Sequence, residues 1–347
     1  MRKLATIGTL AIGTMSVSCS FSRFAFTECQ LNSECRSAFG WGQVCIESLC
    51  EDVVPIPRCE TFPADLLSNP SGYQDRYVIG IQFDQEAFST ESKAAEFAIG
   101  EVIDQTGLGD NRFAVVVCDN AASSSYDSLT QDEANEMVSA YLADHVGVPA
   151  IIGPATSDRV ARAFKQVETH GTLLMSPTAT SPTLTEIDGT TSTYNDPGLF
   201  WRTSPPDDLQ GAALAALMDD DGVQRAVLLV EEGNYGTSLG QKIQSEALAY
   251  YDYSAELKPY DRDSLQDLTE KLGQIEQMDV DAVAFVSANK DHTAHVLQTI
   301  TTAQQAGCAS SSPCPFGEGG ARIYLADGAK DESIFQGVDD VDEILGR

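Results

Sequence analysis

The feature that most restricts the fold of this chain is an alternation, from Tyr77 onward, of short apolar runs with longer amphipathic runs. The apolar runs have the length of buried strands, and the amphipathic runs repeat apolar residues at the spacing of a helix. Strands that alternate with helices along a chain form a parallel sheet with helices on both faces. The sequence therefore predicts an α/β fold.

The alternation pauses between Thr178 and Pro206, so we predict two α/β lobes, residues 77–205 and 206–347, with a cleft between them. The predicted strands are YVIGIQF (77–83), FAVVV (113–117), AIIG (150–153), TLLM (172–175), AVLLV (226–230), SAELK (254–258), AVAFV (282–286) and RIYLA (322–326). The predicted helices lie near 95–103, at 131–143, after Ser157, at 237–250, at 264–276 and up to Ala306. Ligands of open parallel sheets bind at the carboxyl ends of strands. Residues that directly follow the strands are therefore expected to line the cleft.

The N-terminus has the pattern of an export signal. Arg2 and Lys3 precede an uncharged, largely apolar run from Leu4 to Val17, which is too short for a membrane span. The segment ends at MSVSC and resembles the lipobox of bacterial lipoproteins, although Ser16 stands where leucine is usual. We expect a signal peptide over residues 1–18 and lipidation at Cys19, and ordinary cleavage near the same point remains the alternative.

Eight further cysteines suggest disulfides, and therefore an oxidising compartment. Four of them form the spacing C-x5-C-x9-C-x4-C, without the C-x2-C pair or nearby histidine that would favour zinc. We predict a disulfide-bonded segment over residues 19–50 and a proline-rich linker over 51–76. We further expect a Cys59–Cys118 bond and a Cys308–Cys314 surface loop. The cysteines assigned to disulfides are Cys29, Cys35, Cys45, Cys50, Cys59, Cys118, Cys308 and Cys314.

The charge of the chain restricts its partners. It has 52 acidic and 21 basic residues and a formal net charge of −31 at pH 7. Nucleic acid and anionic membrane surfaces would be repelled by this charge. The composition favours a neutral, zwitterionic or cationic partner.

Four segments resemble, in order and spacing, the type I periplasmic binding proteins of the branched-chain amino acid ABC-transporter receptor family, which includes the Leu/Ile/Val-binding proteins. They are IIGPATSDRVARAF (151–164), LLMSPTATSPTLT (173–185), FWRTSPPDDLQGAALA (200–215) and VLLVEEGNYGTSLG (227–240). The resemblance covers residues 77–347. It implies two lobes that close on a small amino-acid-like ligand and deliver it to a transporter permease at the periplasmic face of the envelope. It implies no enzyme activity, no cofactor and no metal.

The resemblance also suggests which first-lobe residues bind the ligand. Thr178, Ala179 and Thr180 match a turn that, in the family, holds the α-amino and α-carboxylate groups of the ligand. Thr156 and Ser157 open the helix after GPATS, where free N–H groups and the positive end of the helix dipole suit a carboxylate. Both residues are also good helix caps, and capping alone would explain them.

Three second-lobe residues complete the predicted site. Tyr235 matches a family tyrosine that covers the ligand on closure, and Ser287 follows the strand AVAFV. Asp327 follows RIYLA, where family members place the carboxylate that neutralises the ammonium of the ligand. An Asp-Gly turn is the alternative explanation for Asp327.

Two features differ from the family pattern. The sequence given ends at Arg347, before the last elements that the resemblance implies for the second lobe. The cysteine-rich N-terminal segment is an addition that could hold the protein off the membrane or contact another protein. A lipoprotein that senses a ligand or regulates an envelope enzyme with the same fold is therefore the alternative function.

A remote alternative is an α/β-hydrolase. GTSLG (236–240) matches the G-x-S-x-G pattern with Ser238 as nucleophile, and His292 and His295 lie downstream. The elbow requires the strand to run straight into the motif, but EEGNY separates Val230 from Gly236. His292 and His295 also have the i, i+3 spacing of a metal pair, but a solvated helix face explains them without a third ligand.

Overall fold

A computed structural model describes residues 28–105, 112–123, 125–189, 193, 195, 197–306 and 321–329. The predicted signal peptide, the predicted lipidation site Cys19 and the predicted Cys308–Cys314 pair lie outside these residues. Within the described part of the chain, no helix combines the length and the apolar character needed to cross a membrane.

The cysteine-rich segment forms a small disulfide-bonded unit. Helix α1 (Asn32–Phe39) precedes a hairpin of β1 (Gln43–Ile46) and β2 (Leu49–Asp52). Disulfides join Cys29 to Cys45 and Cys35 to Cys50, which confirms that this segment is crosslinked. The sulfur atoms of Cys29, Cys35 and Cys50 lie within 4.8 Å of one another, but all three are used in these bonds.

The structure differs from the predicted linker over residues 51–76. This segment contributes β3 (Cys59–Phe62), which pairs antiparallel with β5 (Phe113–Asp119) at the edge of the first sheet. The Cys59–Cys118 disulfide joins the two strands, as predicted. Leu66 and Leu67 are buried in the core of the first lobe. The prolines suggested a solvated spacer, whereas these leucines fix the segment to the lobe.

The first lobe is built on a six-stranded sheet. Its remaining strands are β4 (Tyr77–Phe83), β6 (Ala150–Ile152), β7 (Leu173–Ser176) and β8 (Phe200–Arg202), and the order is β3-β5-β4-β6-β7-β8. All neighbours except β3 and β5 are parallel. The helices are α2 (Ser89–Gln105), α3 (Gln131–Ala140) and α4 (Ser157–Val167). Helix α3 continues as a π-helical segment over Tyr141–Val146.

The two faces of this sheet pack against different helices. Val138 of α3 and Val160 of α4 belong to the large core on one face, and Ala95 of α2 belongs to the smaller core on the other. Successive residues of a strand point to opposite faces, so Val115 and Val116 of β5 enter different cores. The predicted three-layer arrangement is confirmed for this lobe.

The second lobe contains a parallel four-stranded sheet with the order β10-β9-β11-β12. Its elements are α5 (Asp207–Asp220), β9 (Arg225–Glu231), α6 (Asn234–Tyr250), β10 (Ser254–Tyr260), α7 (Leu265–Glu276), β11 (Ala282–Val286), α8 (Lys290–Ala306) and β12 (Arg322–Leu325). Strand β11 is fully buried, as its uninterrupted apolar sequence predicts. Separate apolar cores again lie on the two faces of the sheet.

Candidate ligand-binding site

A cavity of about 430 Å³ lies between the two lobes, where the strand ends and helix N-termini of both lobes meet. Its lining includes six of the eight residues predicted from the sequence, namely Thr156, Ser157, Thr178, Thr180, Tyr235 and Asp327. A second cavity, of about 640 Å³, lies between β3, β5 and α2, and none of the predicted residues lines it. The interlobe cavity is therefore the candidate site.

The first-lobe hydroxyl groups are engaged with their own loops. Thr156 caps α4, since its Oγ1 accepts a hydrogen bond from the Arg159 backbone N–H at 3.4 Å. Ser157 Oγ accepts from the Ser181 backbone N–H at 3.1 Å, and Thr178 Oγ1 donates to the Ala155 carbonyl at 2.7 Å. These bonds link the loop after β6 to the loop after β7. The two loops therefore form one preorganised wall of the cavity.

Asp207 is a site residue that the sequence reasoning missed. It is the first residue of α5, it is only 2 % exposed, and its backbone N–H donates to the Thr180 carbonyl at 2.9 Å. Burial raises the pKa of the Asp207 carboxyl to about 7, while hydrogen bonding from the Thr180 side chain opposes this rise. Its Oδ2 atom is buried and has no hydrogen-bond partner among the described residues.

Tyr235 and Asp327 form a hydrogen-bonded pair on the second-lobe side. Tyr235 Oη donates to Asp327 Oδ1 at 2.6 Å and accepts from the Gly328 backbone N–H at 3.1 Å. Burial raises the pKa of the Tyr235 phenol, and the negative charge of Asp327 raises it further. Tyr235 is therefore neutral and acts as a donor to Asp327, whose carboxylate is exposed to the solvent in the cavity.

Glu231 is the second carboxylate that the sequence reasoning missed. It ends β9 and is buried, and its Oε2 accepts from Ser287 Oγ at 2.7 Å and from the Ala288 backbone N–H at 3.1 Å. Burial raises the pKa of its carboxyl. Glu231 directly follows the apolar run AVLLV, so the strand-end rule applied to the other candidates would also have identified it.

The structure does not bring Ala179 and Ser287 into the lining of the cavity. The Ala179 side chain is buried in the first-lobe core, and its backbone N–H donates to Ser176 Oγ at 3.2 Å. Ser287 is 1 % exposed and contacts Glu231 and Tyr260. Ala179 and Ser287 lie behind the surface of the cavity. Their neighbours Thr180 and Ala288, in the turns that follow β7 and β11, line it instead.

Asp158 joins the two lobes beside the cavity. Its Oδ1 accepts from the backbone N–H of Asn234 at 2.8 Å and from the Asn234 side chain at 2.9 Å. Arg262 Nη1 lies 3.5 Å from its Oδ2. Ser181 Oγ donates to the Asn234 carbonyl at 2.8 Å across the same boundary. Asp158 and Ser181 of the first lobe thus hold the N-terminus of α6.

The geometry does not support the hydrolase alternative for Ser238. The residue lies in the second turn of α6 rather than at a sharp strand-to-helix turn, and its Oγ donates to the Asn234 carbonyl at 2.5 Å. His292 Nδ1 lies 3.3 Å from Tyr260 Oη, and His295 Nε2 lies 3.0 Å from Thr269 Oγ1. The two histidines therefore contact different residues, and neither of these contacts involves Ser238.

Comparison with known proteins agrees with the architecture. The family model described as the receptor family ligand binding region matches residues 90–310, more than half of the chain. The branched-chain amino acid transporter substrate binding protein LivJ from Streptococcus pneumoniae, solved in complex with isoleucine, has a TM-score of 0.55 and 19% identity, covering 75% of this chain and 67% of that chain. The leucine binding protein LivK from Thermotoga maritima has a TM-score of 0.55 and 17% sequence identity, and the match covers 75% of this chain and 65% of that chain. No curated protein sequence matches this chain.

The fold is thus that of the type I periplasmic binding proteins, as the resemblance implied. The chain belongs to the family whose model is described as the receptor family ligand binding region. It spans about two thirds of the length of the two structures to which it is similar.

Proposed function

We propose that this protein is an extracytoplasmic solute-binding receptor for a small amino-acid-like ligand. The observation that carries this proposal is the interlobe cavity, which combines a hydroxyl-rich first-lobe wall with Asp327 and Tyr235 from the second lobe. A cavity of about 430 Å³ is within the range of small-molecule sites. The neighbours solved with, or named for, branched-chain amino acids support the same class of ligand.

The proposed ligand orientation follows from the chemistry of the two walls. The N-terminus of α4, with Thr156 and Ser157, offers backbone N–H groups and the positive end of a helix dipole, which suit a carboxylate. Asp327 offers a negative charge and suits an ammonium group. A ligand that bridges the two walls would hold the lobes together, so binding and closure would be coupled.

The proposed cellular role is reception for an ABC transporter. The protein would be exported, anchored in the membrane by lipid on Cys19, and would deliver its ligand to a permease after hinge closure. The two disulfides of the N-terminal segment and the Cys59–Cys118 bond support an oxidising compartment.

A thermal-shift screen of the full chain against the common amino acids tests this proposal. A true ligand should raise the melting temperature progressively with its concentration, as mass action requires. If no amino acid, amide or short peptide raises it, the proposal fails. Labelling of Ser238 by a fluorophosphonate would instead support the hydrolase alternative.

A further inference from the structure

Arg262 of the second lobe contacts the first lobe beside the cavity. It lies in the turn between β10 and α7, and its guanidinium approaches acids at the start of two first-lobe helices. Arg262 Nη2 lies 3.5 Å from Asp132 Oδ2 in α3, and Arg262 Nη1 lies 3.5 Å from Asp158 Oδ2 in α4. One second-lobe cation thus bridges two first-lobe anions, one of which, Asp158, lines the cavity.

The turn that carries Arg262 is fixed by its own hydrogen bonds. Tyr260, the last residue of β10, is fully buried. The Asp261 carbonyl accepts from the Ser264 backbone N–H at 3.0 Å, and the Asp261 backbone N–H donates to Asp267 Oδ2 at 2.8 Å. Because the backbone is already fixed, only the Arg262 side chain has to be ordered when the lobes meet.

Both lobes carry a large negative charge. Residues 77–205 include 18 acidic and 6 basic residues, and residues 206–347 include 26 acidic and 9 basic residues. Like charges repel, so this charge opposes the approach of the lobes, most strongly at low ionic strength. Contacts that hold the lobes together must therefore offset this repulsion.

The boundary next to Arg262 is itself acidic. Asp158 of the first lobe and Glu231 of the second lobe both line the cavity. Burial raises the pKa of Glu231 despite two hydrogen bonds to its carboxylate, and the charge of Asp158 raises it further. The charge of Arg262 acts in the opposite direction. The guanidinium is therefore close enough to reduce the repulsion between carboxylates of the two lobes.

Two neighbouring arginines have their ion pairs within the first lobe. Arg159 Nη2 lies 3.3 Å from Asp84 Oδ2, and Arg162 Nη2 lies 2.7 Å from Asp132 Oδ2. These pairs connect α4 to the loop after β4 and to α3. They stabilise the first lobe itself, whereas the two pairs of Arg262 act between the lobes.

We propose that Arg262 is an interlobe latch, whose charge between Asp132 and Asp158 keeps the two acidic lobes closed when no ligand is bound. This inference goes beyond the proposed function, because it concerns the protein without its ligand. Arg262 is suited to the role since a planar guanidinium contacts two carboxylates at once. Two partly exposed ion pairs are also weak enough to open for the entry of a ligand.

Small-angle scattering of the unliganded full chain, extrapolated to zero protein concentration, tests the latch. Arg262→Gln should increase the radius of gyration at an ionic strength of about 20 mM, where the charges of the lobes are poorly screened. An ionic strength of about 0.5 M shortens the Debye length to about 4 Å and should return the variant toward the compact shape. The parent protein should stay compact throughout, because its ion pairs offset the repulsion at low salt.

Matched variants show whether the effect belongs to the charge of Arg262. Arg225→Gln removes the same charge from an exposed residue whose partner, Asp279, lies in the same lobe, and it should leave the protein compact. Arg262→Lys keeps the positive charge and should restore most of the closure. If Arg262→Gln does not fold, Arg262→Met, which keeps the length of the side chain without its charge, replaces it.

Each outcome decides the inference. If Arg262→Gln is as compact as the parent protein at low ionic strength, the latch is overturned. If Arg225→Gln opens the protein equally, total charge rather than the contacts of Arg262 is responsible, and the inference fails. It fails also if the opening persists at about 0.5 M salt, where repulsion is screened. None of these measurements uses a ligand, so failure of the amino-acid screen would overturn the proposed function and leave the latch standing.

Discussion

The first lobe contributes mainly hydroxyl groups to the cavity, with Asp158 as its carboxylate among the described lining residues, whereas the second lobe contributes Asp207, Glu231 and Asp327. Thr156, Ser157 and Thr178 each hydrogen-bond the backbone of their own lobe. On the other wall, Asp207 has an oxygen without a partner, and Asp327 faces the solvent of the cavity. The two walls therefore differ in how much of their hydrogen-bonding capacity remains for a ligand.

Because of this difference, we expect the first lobe to position the ligand and the second lobe to select its charge. Hydroxyls that are already bonded fix the positions of the loops and of the α4 N-terminus, so most of the first-lobe wall carries no charge. Carboxylates in a partly closed cavity determine which charges the ligand can carry, because an unpaired buried charge is costly. Substitutions in the first wall should weaken many ligands alike, and substitutions in the second should change the preference for charge.

The largest effect is expected for Asp327. Asp327→Ala should weaken binding of an amino acid by about thirtyfold or more, since closure on the ligand would desolvate the charge pair, and loss of one partner from such a pair costs roughly 2 to 5 kcal/mol. Calorimetry measures the change. Asp327→Asn keeps an oxygen acceptor for Tyr235 and separates loss of charge from loss of the Tyr235 contact. Unchanged affinity in both variants would mean that Asp327 belongs only to a turn.

The next effect is expected for Thr180 in the first wall. Thr180→Val keeps the shape of the side chain and removes its hydroxyl, which hydrogen-bonds Asp207 in the structure and which we propose turns to donate to the ligand carboxylate on binding. A lost bond to a charged group costs about 1.5 kcal/mol or more, so affinity should fall about tenfold for charged and neutral side chains alike. A loss restricted to one of these classes would contradict the division between the walls.

A smaller effect concerns the pH dependence of stability without ligand. Because burial raises the pKa of Asp207 from 3.8 to about 7, the folded state favours the protonated form. This contribution is fully present below about pH 4, is lost as the pH rises to about 7, and stays lost above it. Asp207→Asn should therefore raise the melting temperature at pH 8 by on the order of 2 °C or more, and change it little at pH 4. An equal shift at both pH values would show that the charge of Asp207 is not responsible.

The smallest effect is expected for the contact between the lobes. Asp158→Asn removes the ion pair with Arg262, which is partly exposed, and keeps an oxygen that can accept from Asn234. Partly exposed ion pairs contribute about 1 kcal/mol or less, so affinity should fall only a few-fold. Small-angle scattering of the unliganded variant should also show a more open average shape. An affinity loss as large as that of Asp327→Ala would instead place Asp158 in direct contact with the ligand.

Much of the fold could be predicted because the central strands are continuous apolar runs. Strand β4 occupies the predicted residues 77–83, and β11 occupies 282–286. Strands β3 and β8 were missed, because CETF and FWR lack the longer apolar run that marks the equally short β6 and β7. The prolines led to the prediction of a linker over residues 51–76, but Leu66 and Leu67 of this segment are buried in the core of the first lobe.

The candidate site was predictable where a motif follows a strand. Thr156, Thr178 and Asp327 were found this way, and all three line the cavity. Asp207 could not be found by the same rule, because it begins a helix and acids are common in a first helical turn for reasons unrelated to ligands. Its burial, which depends on how α5 packs beside the Thr180 turn, is a property of the tertiary structure.

A crystal structure of the protein with the tightest-binding amino acid from the screen would test the proposed ligand orientation most directly. We expect one molecule in the interlobe cavity, with its α-ammonium within about 3.2 Å of Asp327 and its carboxylate at the N-terminus of α4. A ligand bound in the cavity between β3 and α2, or one whose ammonium contacts the first lobe, would contradict it.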